Sequence, residues 1–261
     1  MARFVLVHGA FSGAWVWEPV VGELAAAGHR VETFDLPGSG EDRTPVEEVN
    51  LDAYAERIRG VLASDPEPAV LVGHSMGGVA ITQAAGVARK RIALLVYVSA
   101  FMPANGQSLI ELTQLPEGEG DQVQANMVVE GDPPVASLAG EGARVACYGN
   151  CDEAQVAWAT GHMGPQPVVP FTEPVRLADP GADDIPRAYV TCTRDQAIPP
   201  ALQRRMIRDR GVQAVIEIDT DHSPWLSATG ELVAALDRLG RESDAGTLGA
   251  RDVLLGSLEG E

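Results

Sequence analysis

The chain has 261 residues, 45% of them hydrophobic, enough to fill the core of one large domain carrying a modest insertion. Its 37 acidic and 19 basic residues give a formal charge of −18. Such a field repels phosphate backbones and anionic membrane surfaces, so neither nucleic acid nor membrane is expected as a partner. Lys90 is the only lysine, which removes a Schiff-base or phosphate-binding lysine almost everywhere else. The cysteines, Cys147, Cys151 and Cys192, fit neither a disulfide framework nor the paired spacing of a zinc site. The first apolar run leads straight into a His-Gly loop without a charged leader or cleavage site, and no run approaches the roughly eighteen apolar residues of a membrane span. A cytoplasmic location is the expectation.

Taken in chain order, short β-branched apolar runs alternate with longer amphipathic stretches. Phe4 to Val7 and Val31 to Phe34 read as the first two strands, the first followed by the loop HGAFSG. Leu51, Tyr54, Ala55, Ile58, Val61 and Leu62 recur at three- and four-residue spacing, which predicts a helix with one buried stripe, capped by Asn50. Ala69 to Val72 is a third strand, followed at once by Gly73-His74-Ser75-Met76-Gly77-Gly78 and a helix. Ile92 to Val98 has no polar alternate, as suits a central parallel strand covered on both faces.

From Pro103 to about Pro180 the rhythm fails, and a Gly-, Pro- and acid-rich stretch predicts a cap (103–180) inserted into a core formed by 1–102 and 181–240. The apolar residues Leu109, Leu112, Met127, Trp158, Met163 and Phe171 fit cap packing or a pocket wall equally well. Ala188 to Thr191 and Val215 to Ile218 complete the strands. Between them, Pro199 and Pro200 begin a helix that Gly211 can end in a left-handed conformation. A last helix is expected from about Thr229 to Leu239, then a tail, 241–261, with one apolar patch at Val253 to Leu255. The alternation predicts an α/β fold with a mostly parallel central sheet and helices on both faces.

Strand, Gly-x-Ser-x-Gly and helix in immediate succession are the context of a nucleophile elbow, with Ser75 at the strained position. Glycine is required at 73 and 77 because side chains there would collide with the sharp turn. A serine hydroxyl attacks only when an imidazole takes its proton and a carboxylate holds that imidazole in the correct tautomer. Among five histidines, His222 alone follows a late strand, in VIEIDTDHSPW, where a loop at the carboxyl edge can reach Ser75. Asp195 emerges at the same edge after RAYVTC, and the order Ser75, Asp195, His222 suits this fold class. Asp219 and Asp221 read as solvated loop residues, since neighbours on one short loop rarely aim at each other's ring. His8 and His74 read as loop supports and His29 as an exposed helix end. The backbone N–H groups of Ala10 and Met76 are the candidate oxyanion donors. Phe11, Trp158 and His162 are candidate substrate contacts. Such a cycle needs neither metal nor organic cofactor.

The segments FVLVHGAFSGAW, GHSMGG, SAFMP, YVTCTRDQAIPPALQRRMI and GVQAVIEIDTDHS together resemble the plant methyl esterase and hydroxynitrile lyase family of α/β-hydrolases and its bacterial esterase relatives. The resemblance runs from about Phe4 to Leu239 and is weakest from Ala104 to Ala146. By position it implies Ser75, Asp195 and His222 as the triad and Ala10 and Met76 as the oxyanion hole. The cyanide-releasing branch carries Thr where this chain has Gly9, and Lys where it has Ser223, so the resemblance implies ester hydrolysis rather than lyase chemistry. The expected activity is cleavage of small to medium, largely apolar carboxylic esters through an acyl-enzyme. Hydrolysis of a carbamate, amide or lactone is the alternative within that chemistry, and a ligand-binding module on a hydrolase fold is the alternative outside it. The expected partner is the small-molecule ester, with a homodimer the one protein association left open.

Overall fold

The computed structural model describes residues 1–249; the apolar patch at Val253 to Leu255 lies outside them. Six parallel strands form the central sheet: β1 (Arg3–Val7), β2 (Arg30–Thr33), β3 (Ala69–Ser75), β4 (Ile92–Ala100) and, after a long excursion, two more. The excursion contains a separate antiparallel sheet of β5 (Val128–Glu130), β6 (Val135–Ser137) and β7 (Gln166–Pro167), and the main sheet resumes with β8 (Arg187–Cys192) and β9 (Ala214–Ile218). The predicted strands all form, each within a residue or a few of the expected bounds.

The order across the main sheet is β2-β1-β3-β4-β8-β9. The chain therefore steps outward from β1 to β2, returns past β1 to β3, and then advances in the other direction. The direction of travel thus reverses between β1 and β3, and the carboxyl edge at such a switch point is where ligands bind in open α/β sheets. Because parallel crossovers are right-handed, opposite directions of travel put their helices on opposite faces. Accordingly α1 (Glu18–Ala26) packs with α11 (Thr229–Asp244), and α2 (Leu51–Ala63) with α3 (Gly77–Ala88). Cover on both sides explains the unbroken apolar strand β4, in which all residues but Ala93 are buried. In α2 the Asn50 side chain accepts from the Ala53 N–H at 2.8 Å, and Leu51, Tyr54, Ala55, Ile58 and Leu62 form the buried stripe, with Val61 at its margin.

The last helix reaches Asp244 rather than ending at Leu239. Gly240 is not a terminator: a Cβ there would lie 2.7 Å from Cζ of Phe4, so the missing side chain lets the helix close onto β1. Beyond it the pair Arg241–Asp237 carries the helix on by i,i+4 attraction. His29, expected at an exposed helix end, is instead buried; its Nδ1 accepts from the Ala2 N–H and its Nε2 donates to Asp237, fastening the start of β1 to α11.

Between β4 and β8 the chain also forms α4 (Leu109–Thr113), α5 (Gln122–Asn126), α6 (Gly140–Cys147), α7 (Glu153–His162) and α8 (Val169–Thr172). Two of these short helices start in full capping boxes, Ser108 with Glu111 and Asp152 with Gln155, which satisfy orphan N–H groups that so short a helix cannot otherwise afford to leave open. The remaining helices are α9 (Pro200–Arg210), which ends at Gly211 with φ +66°, and α10 (Pro224–Ser227). The φ at Gly211 is positive as anticipated, but its ψ of 137° is extended rather than left-handed helical. Among the described residues no helix is long and apolar enough to cross a membrane.

Candidate active site

Ser75 ends β3 with φ +55°, a strained value for a residue with a side chain, and α3 begins two residues later. The turn is possible only because its neighbours lack side chains. A Cβ on Gly73 would lie 2.6 Å from the Gly77 carbonyl oxygen, and one on Gly77 would lie 2.6 Å from the carbonyl oxygen of His8. Gly77→Ala is therefore expected to lower the unfolding free energy by about 2 to 3 kcal/mol through backbone overpacking. A urea unfolding curve measures this, and an unchanged midpoint contradicts it.

The loop after β1 is set against this elbow. His8 is buried, donates from Nδ1 to the Gly9 carbonyl at 2.8 Å and accepts at Nε2 from the Leu36 N–H at 3.0 Å. Burial pushes its pKa down, which keeps the ring in the neutral form this pattern needs. Gly9 passes so close that a Cβ would lie 2.8 Å from Cβ of Ser75. Ala10, Phe11, Ser75 and Met76 thereby line one pocket, Phe11 with φ +60°.

His222 reaches the same pocket from the loop after β9, and its Nδ1 donates to Asp195 Oδ2 at 2.9 Å. Asp195, from the loop after β8, is fully buried. Its Oδ1 accepts from the N–H groups of Ala197 and Ile198 at 2.8 and 2.9 Å, and its Oδ2 also accepts from Gln203 Nε2 at 3.0 Å. Gln203 was not singled out in the sequence; its position on α9 behind TRDQAIPP was the available signal. The carboxylate is thus held in one orientation, and with Nδ1 committed to it the imidazole presents Nε2 as a free lone pair.

Burial alone would push the His222 pKa down, but the charge and hydrogen bond of Asp195, with Asp221 and Asp121 further off, outweigh it and leave the pKa above 6.5. A base must be neutral to take a proton. Catalysis is therefore expected to rise with pH through that raised value and, below it, to fall about tenfold per pH unit. A pH profile of kcat/KM whose acid limb fell below 6.5 would contradict the assignment.

Asp219 and Asp221 differ from each other. Asp219 is exposed and pairs with Arg194, as a solvated loop residue does. Asp221 is buried: Oδ2 accepts from the Asn150 N–H at 2.7 Å, and Oδ1 accepts from the Ser223 N–H at 3.0 Å and the Ser227 hydroxyl at 2.6 Å. It ties the His222 loop to the turn between α6 and α7, a long-range role that local sequence does not reveal.

The pocket's empty space, counted together with the open solvent at its mouth, is about 740 Å³. Its wall is largely apolar, with Phe101, Leu109, Met127, Met163, Phe171 and Trp225, while Leu112 is buried but does not line it. Trp158 and His162, expected as substrate contacts, stand one layer outside. Both pack on Trp15, with centroids 5.3 and 5.4 Å away, and Trp15 packs in turn on Trp225 at 5.6 Å. The face of α7 that carries them meets this aromatic stack rather than the pocket. Among the described residues neither Lys nor Arg lines the pocket, and no cluster of three His, Cys, Asp or Glu side chains is placed to hold a metal ion. The three cysteines are buried and unpaired, and burial pushes the Cys147 thiol far up.

A model of the alpha/beta hydrolase family matches residues 4–236. The chain belongs to that family. This hydrolase is 31% identical to an alpha-hydroxynitrile lyase of Arabidopsis thaliana over 91% of its length and 96% of the relative's. It is 32% identical to methylesterase 7 of the same plant, over 90% and 94%. Among solved structures it is similar to a methylesterase from Arabidopsis, with a TM-score of 0.77 at 27% identity, covering 91% of this chain and 98% of that one. It is also similar to a pyrethroid hydrolase from Sphingobium faniae, with a TM-score of 0.81 at 25% identity, covering 94% and 98%. By this kinship the hydrolase is an esterase-like enzyme.

Proposed function

We propose that this hydrolase cleaves small to medium, largely apolar carboxylic esters by a serine mechanism. The observation that carries the reading is the buried Asp195–His222 pair opening onto the same pocket as the strained Ser75. Ser75 attacks the ester carbonyl as His222 Nε2 takes its proton, and the N–H groups of Ala10 and Met76 receive the developing oxyanion. The imidazolium gives its proton to the departing alcohol. Water, deprotonated by His222, then releases the acid from Ser75. Residues 103–180 act as the cap that chooses the substrate, since Leu109, Thr113, Met127 and Phe171 all come from them.

Ester rather than cyanohydrin cleavage is favoured by the lack of a pocket cation among the described residues, which a cyanide leaving group would need, and by Ser223 in place of the lyase branch's Lys. Gly9 also leaves no room for a larger residue, a Cβ there meeting Ser75 Cβ at 2.8 Å and His74 Nδ1 at 3.2 Å. The test is a panel of matched methyl and aryl esters, carbamates, amides, lactones and a cyanohydrin. The highest kcat/KM is expected for neutral apolar esters; preference for carbamates or amides, or cyanide release, overturns the substrate class.

A further inference from the structure

His74 fills the variable position of the elbow, and only 4% of it is exposed. Its Nε2 lies 2.8 Å from the carbonyl oxygen of His222. A carbonyl can only accept, so Nε2 carries the proton and Nδ1 is a bare lone pair, buried and without a donor among the described residues. All the hydrogen bonding the ring makes is spent on the backbone of His222. Trp17 and Trp225 stand edge-on to it, with centroids 6.3 and 6.4 Å away at 87° and 82°, and restrict its swing. The two imidazoles sit 4.8 Å apart, tilted by 44°.

We propose that His74 is a positioning residue, which sets the distance between nucleophile and base by hydrogen-bonding the His222 carbonyl. This rests on the reading of Ser75 and His222 given above. Asp195 fixes the rotation of the His222 ring, and Asp221 fixes the loop that carries it to the turn between α6 and α7. Neither contact refers to the elbow. His74 does, because it is covalently joined to Ser75, so a bond from its ring to His222 ties the two loops at the point where a proton must cross. Outer contacts of this kind fix first-line groups at metal sites in the same way.

The link also survives the catalytic cycle. Burial, and then the charge of His222 itself, hold the His74 pKa well below 6.5, so His74 stays neutral and keeps its Nε2–H while its neighbour becomes imidazolium. The groups acting on this pair are Asp195, Asp221 and Asp121 on His222, and His8 on His74.

Three substitutions separate positioning from simple packing. His74→Phe keeps bulk and loses the donor. His74→Gln keeps a donor that reaches the same carbonyl, and His74→Asn keeps polarity but falls short. Expected are a fall in kcat of about 10- to 100-fold for Phe and Asn with KM within about twofold, and a kcat within about threefold of wild type for Gln. Circular dichroism and thermal melting accompany each, and the Asn and Gln pair decides the matter if Phe does not fold. Wild-type kcat in Asn or Phe, an effect confined to KM, or a Gln variant as impaired as Phe overturns the proposal. Turnover that persists in Ser75→Ala overturns the serine mechanism and this inference together, whereas turnover dependent on Ser75 but indifferent to the group at 74 overturns the inference alone.

Discussion

Ser75→Ala is expected to reduce kcat for the best ester by about 10⁶-fold while leaving the fold intact. The size follows from what is lost. Without the hydroxyl no acyl-enzyme forms, and only the oxyanion donors and the binding pocket remain to accelerate attack by water. Stability should change little, because the strain at φ +55° belongs to the backbone and alanine inherits it. Steady-state kinetics together with a thermal melt measure both quantities. Retained turnover would show that the chemistry lies elsewhere in the pocket.

Asp195→Asn is expected to cost about 10⁴-fold in kcat, more than loss of one hydrogen bond explains, because it inverts the tautomer of the base. In the native site Oδ1 is held by two backbone N–H groups and Oδ2 faces two donors, Gln203 Nε2 and His222 Nδ1. An asparagine keeps its oxygen toward Ala197 and Ile198 and must aim its NH₂ at the other pair. Gln203 cannot easily turn its amide to accept, since its Oε1 already takes the Cys192 N–H and its Nε2 also donates to the Ile198 carbonyl. His222 then has to accept at Nδ1, which moves its proton to Nε2 and occupies the lone pair that should receive the serine proton. Removing the carboxylate charge also leaves burial as the dominant influence on His222, so the acid limb of the pH profile moves to lower pH even as the rate falls. A variant with normal kcat and an unmoved acid limb would refute this account of Asp195.

The elbow was legible in the sequence because its determinants are local. The glycines at 73 and 77, the preceding apolar strand and the following helix lie within a few residues, and each has a steric reason to be there. Asp195 and His222 were legible through chain order, since residues just after parallel strands must emerge at one edge of the sheet. What could not be read was which polar residues become buried through contacts with distant segments. Asp221 looks solvated beside Asp219, yet it is buried and accepts from the N–H of Asn150, seventy-one positions away. His29 looks like a helix end until Asp237 reaches it from 208 residues on. Trp158 and His162, expected as substrate contacts, pack on Trp15 instead of lining the pocket, and the periodicity of a ten-residue helix does not say whether Trp15 or a substrate lies opposite.

A serine made reactive by a buried Asp–His pair is trapped by a fluorophosphonate, and peptide mass mapping after labelling shows whether Ser75 is that serine. Expected is one adduct per chain, on the peptide containing Ser75, that vanishes in Ser75→Ala and forms markedly more slowly in Asp195→Asn. An adduct on any other residue, or no reaction with the folded wild-type protein, would contradict it.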